Sequence, residues 1–430
     1  MMRSLGAAAL VASALLSTLS VTPAQASAPP TAEAGPGAGC TVGPNTQRGA
    51  EERRLADPRS AELVLRGGLT AFTTRFPAAL CAARDERAAG QLVEAWGVAL
   101  WRAAVDRAQG RRPGGDLAPG DDRPLYWARV TMVDQLSGWQ PGFAVDTAAL
   151  RARFEDASRG LKANEFSPGR GLKRIFVSGF DPFGLDRDLR TANPSGSAAL
   201  SLNGRRVTLD DGSTAEIRAV MLPVRYGDFD RGMVERAYGP RLAAGPRSAD
   251  RITSISQGYP GKFTVEEWAG RSRSADPYPD NTGALSGGTR QNPVVAPGMG
   301  PGPQFIRTTL PGAALEQAAQ TPYPVLVNPN VTEIPAGQAQ PVDRTDGPTP
   351  GSRAVAGGGG GYLSNEVAYR SNRLRQELRP ALPGGHLHTP VLTGLPADGT
   401  QLTGPVFEQN EAAITAEVLT LLRAGWRQAG

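Results

Sequence analysis

Hydrophobic residues recur at helical spacing in the first part of the chain. Asp57-Pro58 is a typical helix start, and the helical pattern continues from there to about residue 161. Apolar residues separated by four, four and three positions lie on one face of an α-helix. This spacing occurs at Leu92, Trp96, Leu100 and Ala103. We therefore expect a small all-α domain over residues 57–165, for which no motif indicates a role.

A second pattern begins at Gly171, where short apolar runs alternate with helical stretches. This alternation predicts an α/β domain over residues 171–428, with a mostly parallel twisted sheet flanked by helices. Two stretches rich in Gly, Pro and polar residues, 285–303 and 332–353, predict surface loops inserted into this domain. The predicted strands are 174–180, 215–224, 251–256 and 323–328, and the predicted helices include 229–238 and 365–378.

The first 28 residues have the pattern of a secretory signal peptide. A basic residue at Arg3 precedes an apolar run over residues 5–19, and Ala-Gln-Ala or Ala-Ser-Ala before residue 29 resembles a cleavage site. The apolar run is shorter than the ~20 residues that span a membrane. We expect a secreted, extracellular protein without a membrane span, in which residues 29–56 form a linker.

The charge of the chain is close to balanced. Of 46 basic residues only three are lysines, and the net charge is +5. The arginines are dispersed along the sequence, whereas a nucleic-acid-binding surface needs a basic cluster. We therefore expect no nucleic-acid partner.

The two cysteines are Cys40 and Cys81. In an exported protein such a pair predicts one disulfide bond. Two cysteines and two distant histidines lack the spacing of a metal-ligand cluster, so we expect neither a metal nor another cofactor.

The two histidines, His386 and His388, lie in one short run, Gly-Gly-His-Leu-His-Thr-Pro. Ser364 lies 24 residues before His388, between a run of five glycines and a predicted helix. A nucleophile at a glycine-rich turn into a helix, with a candidate base nearby, is what acyl-transfer chemistry requires.

Several motifs occur in a fixed order between about residues 173 and 395. They are Gly179-Phe-Asp-Pro-Phe-Gly184, Asn193-Pro-Ser195, Pro279-Asp-Asn-Thr-Gly283 and Thr309-Leu-Pro311. With these motifs the C-terminal domain resembles pyroglutamyl peptidase I, a family of α/β cysteine exopeptidases that remove N-terminal pyroglutamate from peptides.

The resemblance implies a catalytic triad and a ring-binding pocket. The family's catalytic histidine falls on His388, its glutamate on Glu267 with adjacent Glu266 as the second choice, and its nucleophilic cysteine on Ser364. His386 has no counterpart, and we expect it in a solvent-facing loop. The positions implied for substrate binding are Phe180, Phe183, Gln257 and Leu363.

Ser364 has two interpretations. It caps the helix that follows, accepting from a free backbone N–H, or it is a nucleophile in place of cysteine. A hydroxyl escapes the oxidation that an activated thiolate meets outside the cell, but it depends more on histidine as a base. The chain also departs from the family at Pro277, where the family has arginine, and at Ser272, where it has asparagine.

The sequence thus predicts a secreted hydrolase that removes N-terminal pyroglutamyl, or similar cyclic or acyl groups, from peptides or small pyroglutamyl compounds. The alternative is a catalytically inactive binding or scaffold protein that uses the same pocket. A third interpretation makes the helical segment a cell-envelope attachment module. Assembly into a homo-oligomer is left open.

Overall fold

The computed structural model describes residues 28–30, 40–320 and 322–426. The predicted signal peptide, except Ala28, lies outside these residues, as do residues 31–39 of the predicted linker. Among the described helices, none combines the length and apolar character needed to cross a membrane.

The N-terminal part is helical, as predicted. Its core is aromatic: the ring of Phe76 lies 5.4 Å from that of Trp96 and 5.6 Å from that of Phe154. Aspartate side chains cap the N-termini of three of the helices. Asp57 accepts from the N–H of Arg59, Asp85 from that of Ala88 and Asp146 from that of Ala149. The elements are β1 (Thr41–Val42), α1 (Ala50–Arg53), α2 (Pro58–Arg66), α3 (Thr70–Cys81), α4 (Glu86–Ala108), α5 (Arg123–Ser137), β2 (Trp139–Gln140) and α6 (Thr147–Ser158).

The prediction of a linker is wrong for residues 41–56. This segment contains β1, which pairs with β2, and α1, followed by a short 3-10 helix at Arg54–Ala56. Arg48 is held by an ion pair with Asp134 at 2.7 Å. The segment is therefore part of the helical domain.

The predicted disulfide between Cys40 and Cys81 is present. It closes a loop of 41 residues, for which chain entropy gives a stabilisation of about 4 kcal/mol. We expect the intact mass of the purified protein to be two hydrogens below that of the dithiol form. We also expect reduction to lower the free energy of unfolding by about that amount. Two free thiols in exported material would contradict the bond.

The C-terminal part has the predicted α/β fold. The elements are β3 (Lys173–Phe180), α7 (Pro194–Leu202), β4 (Arg206–Thr208), β5 (Thr214–Leu222), α8 (Tyr226–Asp230), α9 (Met233–Leu242), β6 (Arg251–Gln257), β7 (Phe263–Glu266), β8 (Trp268–Gly270), β9 (Ser272–Arg273), β10 (Val294–Val295), β11 (Phe305–Arg307), α10 (Gly312–Ala318), β12 (Val325–Asn328), β13 (Val331–Ile334), β14 (Val342–Arg344), β15 (Arg353–Ala356), α11 (Leu363–Leu378), β16 (Gly384–Thr389) and α12 (Pro405–Arg423). In the described residues the central sheet has seven strands in the order β12-β7-β16-β6-β3-β5-β4, and four of its six strand pairs are parallel.

Strand alternation assigns side chains to the two faces of this sheet. Val177 and Ile255 pack in the cluster that contains residues of α7, α10 and α12. Phe180 and Ile252 pack in the cluster that contains residues of α9 and α11. The face covered by α9 and α11 is the one that carries the candidate site.

The prediction of a plain surface loop at 332–353 is wrong. The segment contributes to an antiparallel sheet of β14, β13 and β15. Buried Glu333 stabilises it by accepting hydrogen bonds from Arg344 and Thr349. The other predicted loop, 285–303, contains β10, which pairs with β9.

Two arginines of the helical part hold a carboxylate of the α/β part. Arg129 Nη1 lies 2.8 Å from one oxygen of Asp181, and Arg159 Nη1 lies 2.5 Å from the other. Burial by itself would raise the pKa of Asp181, but the two guanidinium groups outweigh it, so the pKa lies below its ordinary value. Asp181 directly follows Phe180, so the helical part fixes the backbone at the end of β3.

Candidate active site

One cavity brings together residues that are far apart in the sequence. It lies at the carboxyl ends of β3 and β6, beside the start of α11. The carboxyl ends of parallel strands are where α/β sheets usually bind ligands. Its lining comprises Phe180, Phe183, Asn193, Val224, Ser256, Gln257, Tyr362, Leu363 and Ser364. All the implied substrate-binding residues and Ser364 therefore share this cavity.

His388 lies on β16 and contacts a carboxylate on the neighbouring strand. Its Nδ1 is 2.7 Å from Oε1 of Glu266 on β7. The Glu266 carboxylate also accepts hydrogen bonds from Asn328 Nδ2, at 2.6 Å, and from the hydroxyl of Thr264. Both His388 and Glu266 are buried. The fixed carboxylate holds the imidazole ring in one orientation.

The expectation that Glu267 is the partner of His388 is wrong. Consecutive side chains of a strand point to opposite faces, so Glu267 is directed away from the imidazole and forms an ion pair with Arg307. The residue that contacts His388 is Glu266, the second choice from the sequence.

Glycines allow the chain to approach the His388 ring closely. A Cβ added at Gly258 would lie 2.5 Å from Cγ of His388, and one at Gly359 would lie 3.2 Å from its Cε1. The ring of Tyr259 stands edge-on to the imidazole at 6.0 Å, and its hydroxyl donates to the carbonyl of Gly358. The glycine run before α11 is therefore packed against the imidazole.

Ser364 is the second residue of α11, and Tyr362 occupies the cap position. The interpretation of Ser364 as the helix cap is therefore wrong. Its hydroxyl donates to the carbonyl of Gly359 at 2.9 Å. Since Gly359 also lies against His388, the serine and the imidazole flank the same glycine. Among the described residues we find no hydrogen bond that joins Ser364 to His388.

The expectation that His386 is a solvent-facing loop residue is wrong. His386 lies within β16 and is 1% exposed. Its Nδ1 is 2.8 Å from Oγ of Ser254, and its Nε2 is 2.8 Å from Oγ of Ser256. Burial, followed by the neighbouring His388, lowers the pKa of His386 well below its ordinary value. The ring is therefore neutral.

Two domain models of one family match this chain. The PA0049 N-terminal domain matches residues 30–156, and the PA0049 C-terminal domain matches residues 174–306 and 320–393. The chain is also 35% identical over 502 residues to the uncharacterized protein PA0049 of Pseudomonas aeruginosa strain PAO1, with 90% of each chain covered. The chain belongs to the PA0049 family.

Solved structures similar to this PA0049 family member cover 58% of its chain. Pyrrolidone carboxyl peptidase from Thermococcus litoralis is 18% identical, with 93% of that chain covered and a TM-score of 0.38. Pyroglutamyl peptidase I from Bacillus amyloliquefaciens is 21% identical, with 95% covered and a TM-score of 0.37. The α/β fold of the PA0049 family member itself follows from its own sheet order and strand directions.

The sequence interpretation missed the polar residues on β6 in this PA0049 family member. Ser254 and Ser256 alternate with an apolar residue, as His386 and His388 do on β16, and the two strands pair in parallel register. This shared alternation was the available signal. Gln257, the next residue, has its Oε1 engaged by the backbone N–H of Leu392 at 3.1 Å.

Proposed function

We propose that this protein is a secreted hydrolase that removes N-terminal pyroglutamyl, or similar cyclic or acyl groups, from peptides. The observation that carries the proposal is the Glu266–His388 hydrogen bond next to Ser364. Ser364 lines the cavity, and the imidazole that the carboxylate holds lies against the same glycine as the serine hydroxyl. A carboxylate, an imidazole and a hydroxyl are the groups of a nucleophilic hydrolase. The sequence motifs shared with pyroglutamyl peptidase I support the choice of substrate.

Ser364 would attack the carbonyl of the scissile amide and pass its proton to Nε2 of His388. To do so its hydroxyl would leave the carbonyl of Gly359 by rotation about the Cα–Cβ bond. Glu266 would keep the proton of His388 on Nδ1 and offset the charge formed on the ring. Backbone N–H groups in the first turn of α11 would stabilise the oxyanion.

Collapse of the tetrahedral intermediate breaks the amide bond. His388 returns the proton to the leaving amine, and the acyl group remains as an ester on Ser364. Water then attacks the ester with His388 as base, which releases the acid and restores the serine hydroxyl. All proton transfers therefore use one imidazole.

The cavity suits a small neutral ring. Phe180 and Phe183 offer apolar faces, with Leu363 beside them. The amide oxygen of Gln257 is already bonded to Leu392, so its amino group is the part left for a ligand carbonyl. A lactam presents such a carbonyl on a flat ring.

The second candidate is a binding protein without turnover. It is favoured by the hydrogen bond of Ser364 to Gly359 in place of one to His388, and by Pro277 where the peptidase family has arginine. It would use the same cavity and bind the same ring.

Hydrolysis of pyroglutamyl-p-nitroanilide tests the proposal. We expect turnover by the wild-type protein that survives iodoacetamide, because its cysteines are in a disulfide and the nucleophile is a hydroxyl. We expect Ser364→Cys to become sensitive to iodoacetamide, because a thiol next to an imidazole reacts as thiolate.

A folded protein that cleaves neither pyroglutamyl nor N-acyl substrates would favour the binding protein instead. Turnover that persists in Ser364→Ala would show that another group attacks. Circular dichroism of each variant serves as the check on folding.

A further inference from the structure

Polar side chains form two hydrogen-bonded groups within the apolar layer between the sheet and α9 and α11. The hydroxyl oxygens of Ser178 and Tyr238 are 2.7 Å apart. The ring of His386 joins Ser254 to Ser256, since its Nδ1 is 2.8 Å from Oγ of Ser254 and its Nε2 is 2.8 Å from Oγ of Ser256. Each of these residues is at most 4% exposed. Burying a polar group costs free energy unless it is hydrogen-bonded, and these side chains meet that condition by bonding to one another.

Ser256 is the member of these groups that lines the cavity. It lies at the carboxyl end of β6, and strand alternation places its side chain on the same face as those of Ser254 and His386. Gln257 follows it and uses its amide oxygen on the N–H of Leu392. The hydroxyl of Ser256 is thus a buried polar group at the wall of the site.

The hydrogen bonds around His386 bear on whether the Ser256 hydroxyl can act as an acceptor in the cavity. A neutral imidazole donates from one nitrogen and accepts at the other. The hydroxyl of Ser254 can donate to the carbonyl of Gly385, 3.4 Å away, and in that arrangement it receives the Nδ1–H of His386. Nε2 then accepts the proton of Ser256. The Ser256 oxygen is left with lone pairs for the cavity.

We propose that Ser256, oriented by His386, is a specificity-determining residue whose oxygen accepts the ring N–H of a lactam. This inference rests on the proposed function and names the group of the substrate that the cavity distinguishes. The amino group of Gln257 would donate to the ring carbonyl, and the oxygen of Ser256 would accept from the ring N–H. Each polar group of the lactam ring would then have a partner in the site. A lactone, with oxygen in place of N–H, would set two acceptors against each other.

Calorimetric titration of the Ser364→Ala protein with two ligands tests this role. The ligands are L-pyroglutamamide and the matching lactone, 5-oxotetrahydrofuran-2-carboxamide. We expect the lactone to bind about tenfold more weakly, or worse, since it leaves a buried acceptor unpaired. Adding Ser256→Ala should reduce this ratio to about one, because the discriminating oxygen is gone.

Ser254→Ala tests the orientation of His386. It removes the partner of Nδ1 of His386 at a residue that does not line the cavity, so a change in the ratio here would show that Ser256 acts through the orientation of His386. Ser178→Ala is the control outside this chain of contacts, because Ser178 contacts Tyr238 and does not line the cavity, and we expect the ratio to persist in it. Should the alanine variant at 256 fail to fold, Ser256→Cys gives nearly the same shape with a weak acceptor and the same expected loss of the ratio.

Each outcome decides between the proposals. An unchanged ratio in a folded Ser256→Ala variant overturns the role of Ser256 while the proposed substrate stands. Failure of the folded Ser364→Ala protein to bind both ligands overturns the proposed substrate, and the role of Ser256 with it.

Discussion

Replacing Glu266 with glutamine is expected to lower kcat on pyroglutamyl-p-nitroanilide by about 10⁴-fold, the effect known for loss of the orienting carboxylate in a catalytic triad. Glutamine keeps the shape of the side chain but can present its amino group to Nδ1 of His388. The imidazole would then carry its proton on Nε2, where it cannot accept the proton of Ser364. The measurement is the kcat of each variant at saturating substrate.

Glu267→Gln is the matched control for this prediction. The substitution is chemically the same and one residue away, but Glu267 points to the other face and pairs with Arg307. We expect kcat to stay within about twofold, since an exposed ion pair contributes little. A large loss at Glu267 together with a small loss at Glu266 would show that the orienting carboxylate is wrongly assigned.

The second large effect is expected on stability, at Asp181. Asp181→Ala would leave the guanidinium groups of Arg129 and Arg159 buried without their shared carboxylate. Breaking a buried ion pair from one side costs about 3–5 kcal/mol, and we expect the free energy of unfolding to fall by that amount. Guanidinium chloride unfolding, followed by tryptophan fluorescence, measures it.

Asp186→Ala gives the comparison for an exposed carboxylate nearby. Asp186 pairs with Arg54, and its side chain is 70% exposed. Its loss should cost less than about 1 kcal/mol. Equal effects at the two aspartates would contradict a special role for the buried pair.

Four of the seven strands of the central sheet in the described residues could be predicted from the sequence because they are short apolar runs. The first strand was expected at 174–180 and is Lys173–Phe180, and the third was expected at 251–256 and is Arg251–Gln257. Local composition determines such strands, whereas the order in which they pair depends on contacts distant in sequence. The small sheet of β13, β14 and β15 was missed because its glycines and prolines resemble a loop.

The strand that carries His386 is hard to recognise from the sequence for a different reason. Gly384 and Gly385 lie in a central strand, where any side chain would collide with its neighbours. A Cβ at Gly385 would be 1.9 Å from Oγ1 of Thr308, and one at Gly384 would be 2.6 Å from Cδ of Arg375. Glycine here permits close packing, which a single sequence does not distinguish from a turn.

The choice between Glu266 and Glu267 shows a similar limit. Counting from motifs places the carboxylate within one residue, but a shift of one residue in a strand reverses the face. Only the pairing of His388 with Thr264 across β16 and β7 identifies which glutamate faces the imidazole.

The contact of Arg129 and Arg159 with Asp181 also constrains how such proteins can evolve. A chain that lost its helical segment would leave Asp181 without either of its cations. One that lost Asp181 would leave the buried Arg129 without a carboxylate partner, while Arg159 kept Glu155. Stepwise exchange of either part for an unrelated module passes through such an intermediate. Across the PA0049 family, we therefore expect these three positions to be gained and lost together, so that the two domains are inherited as one unit.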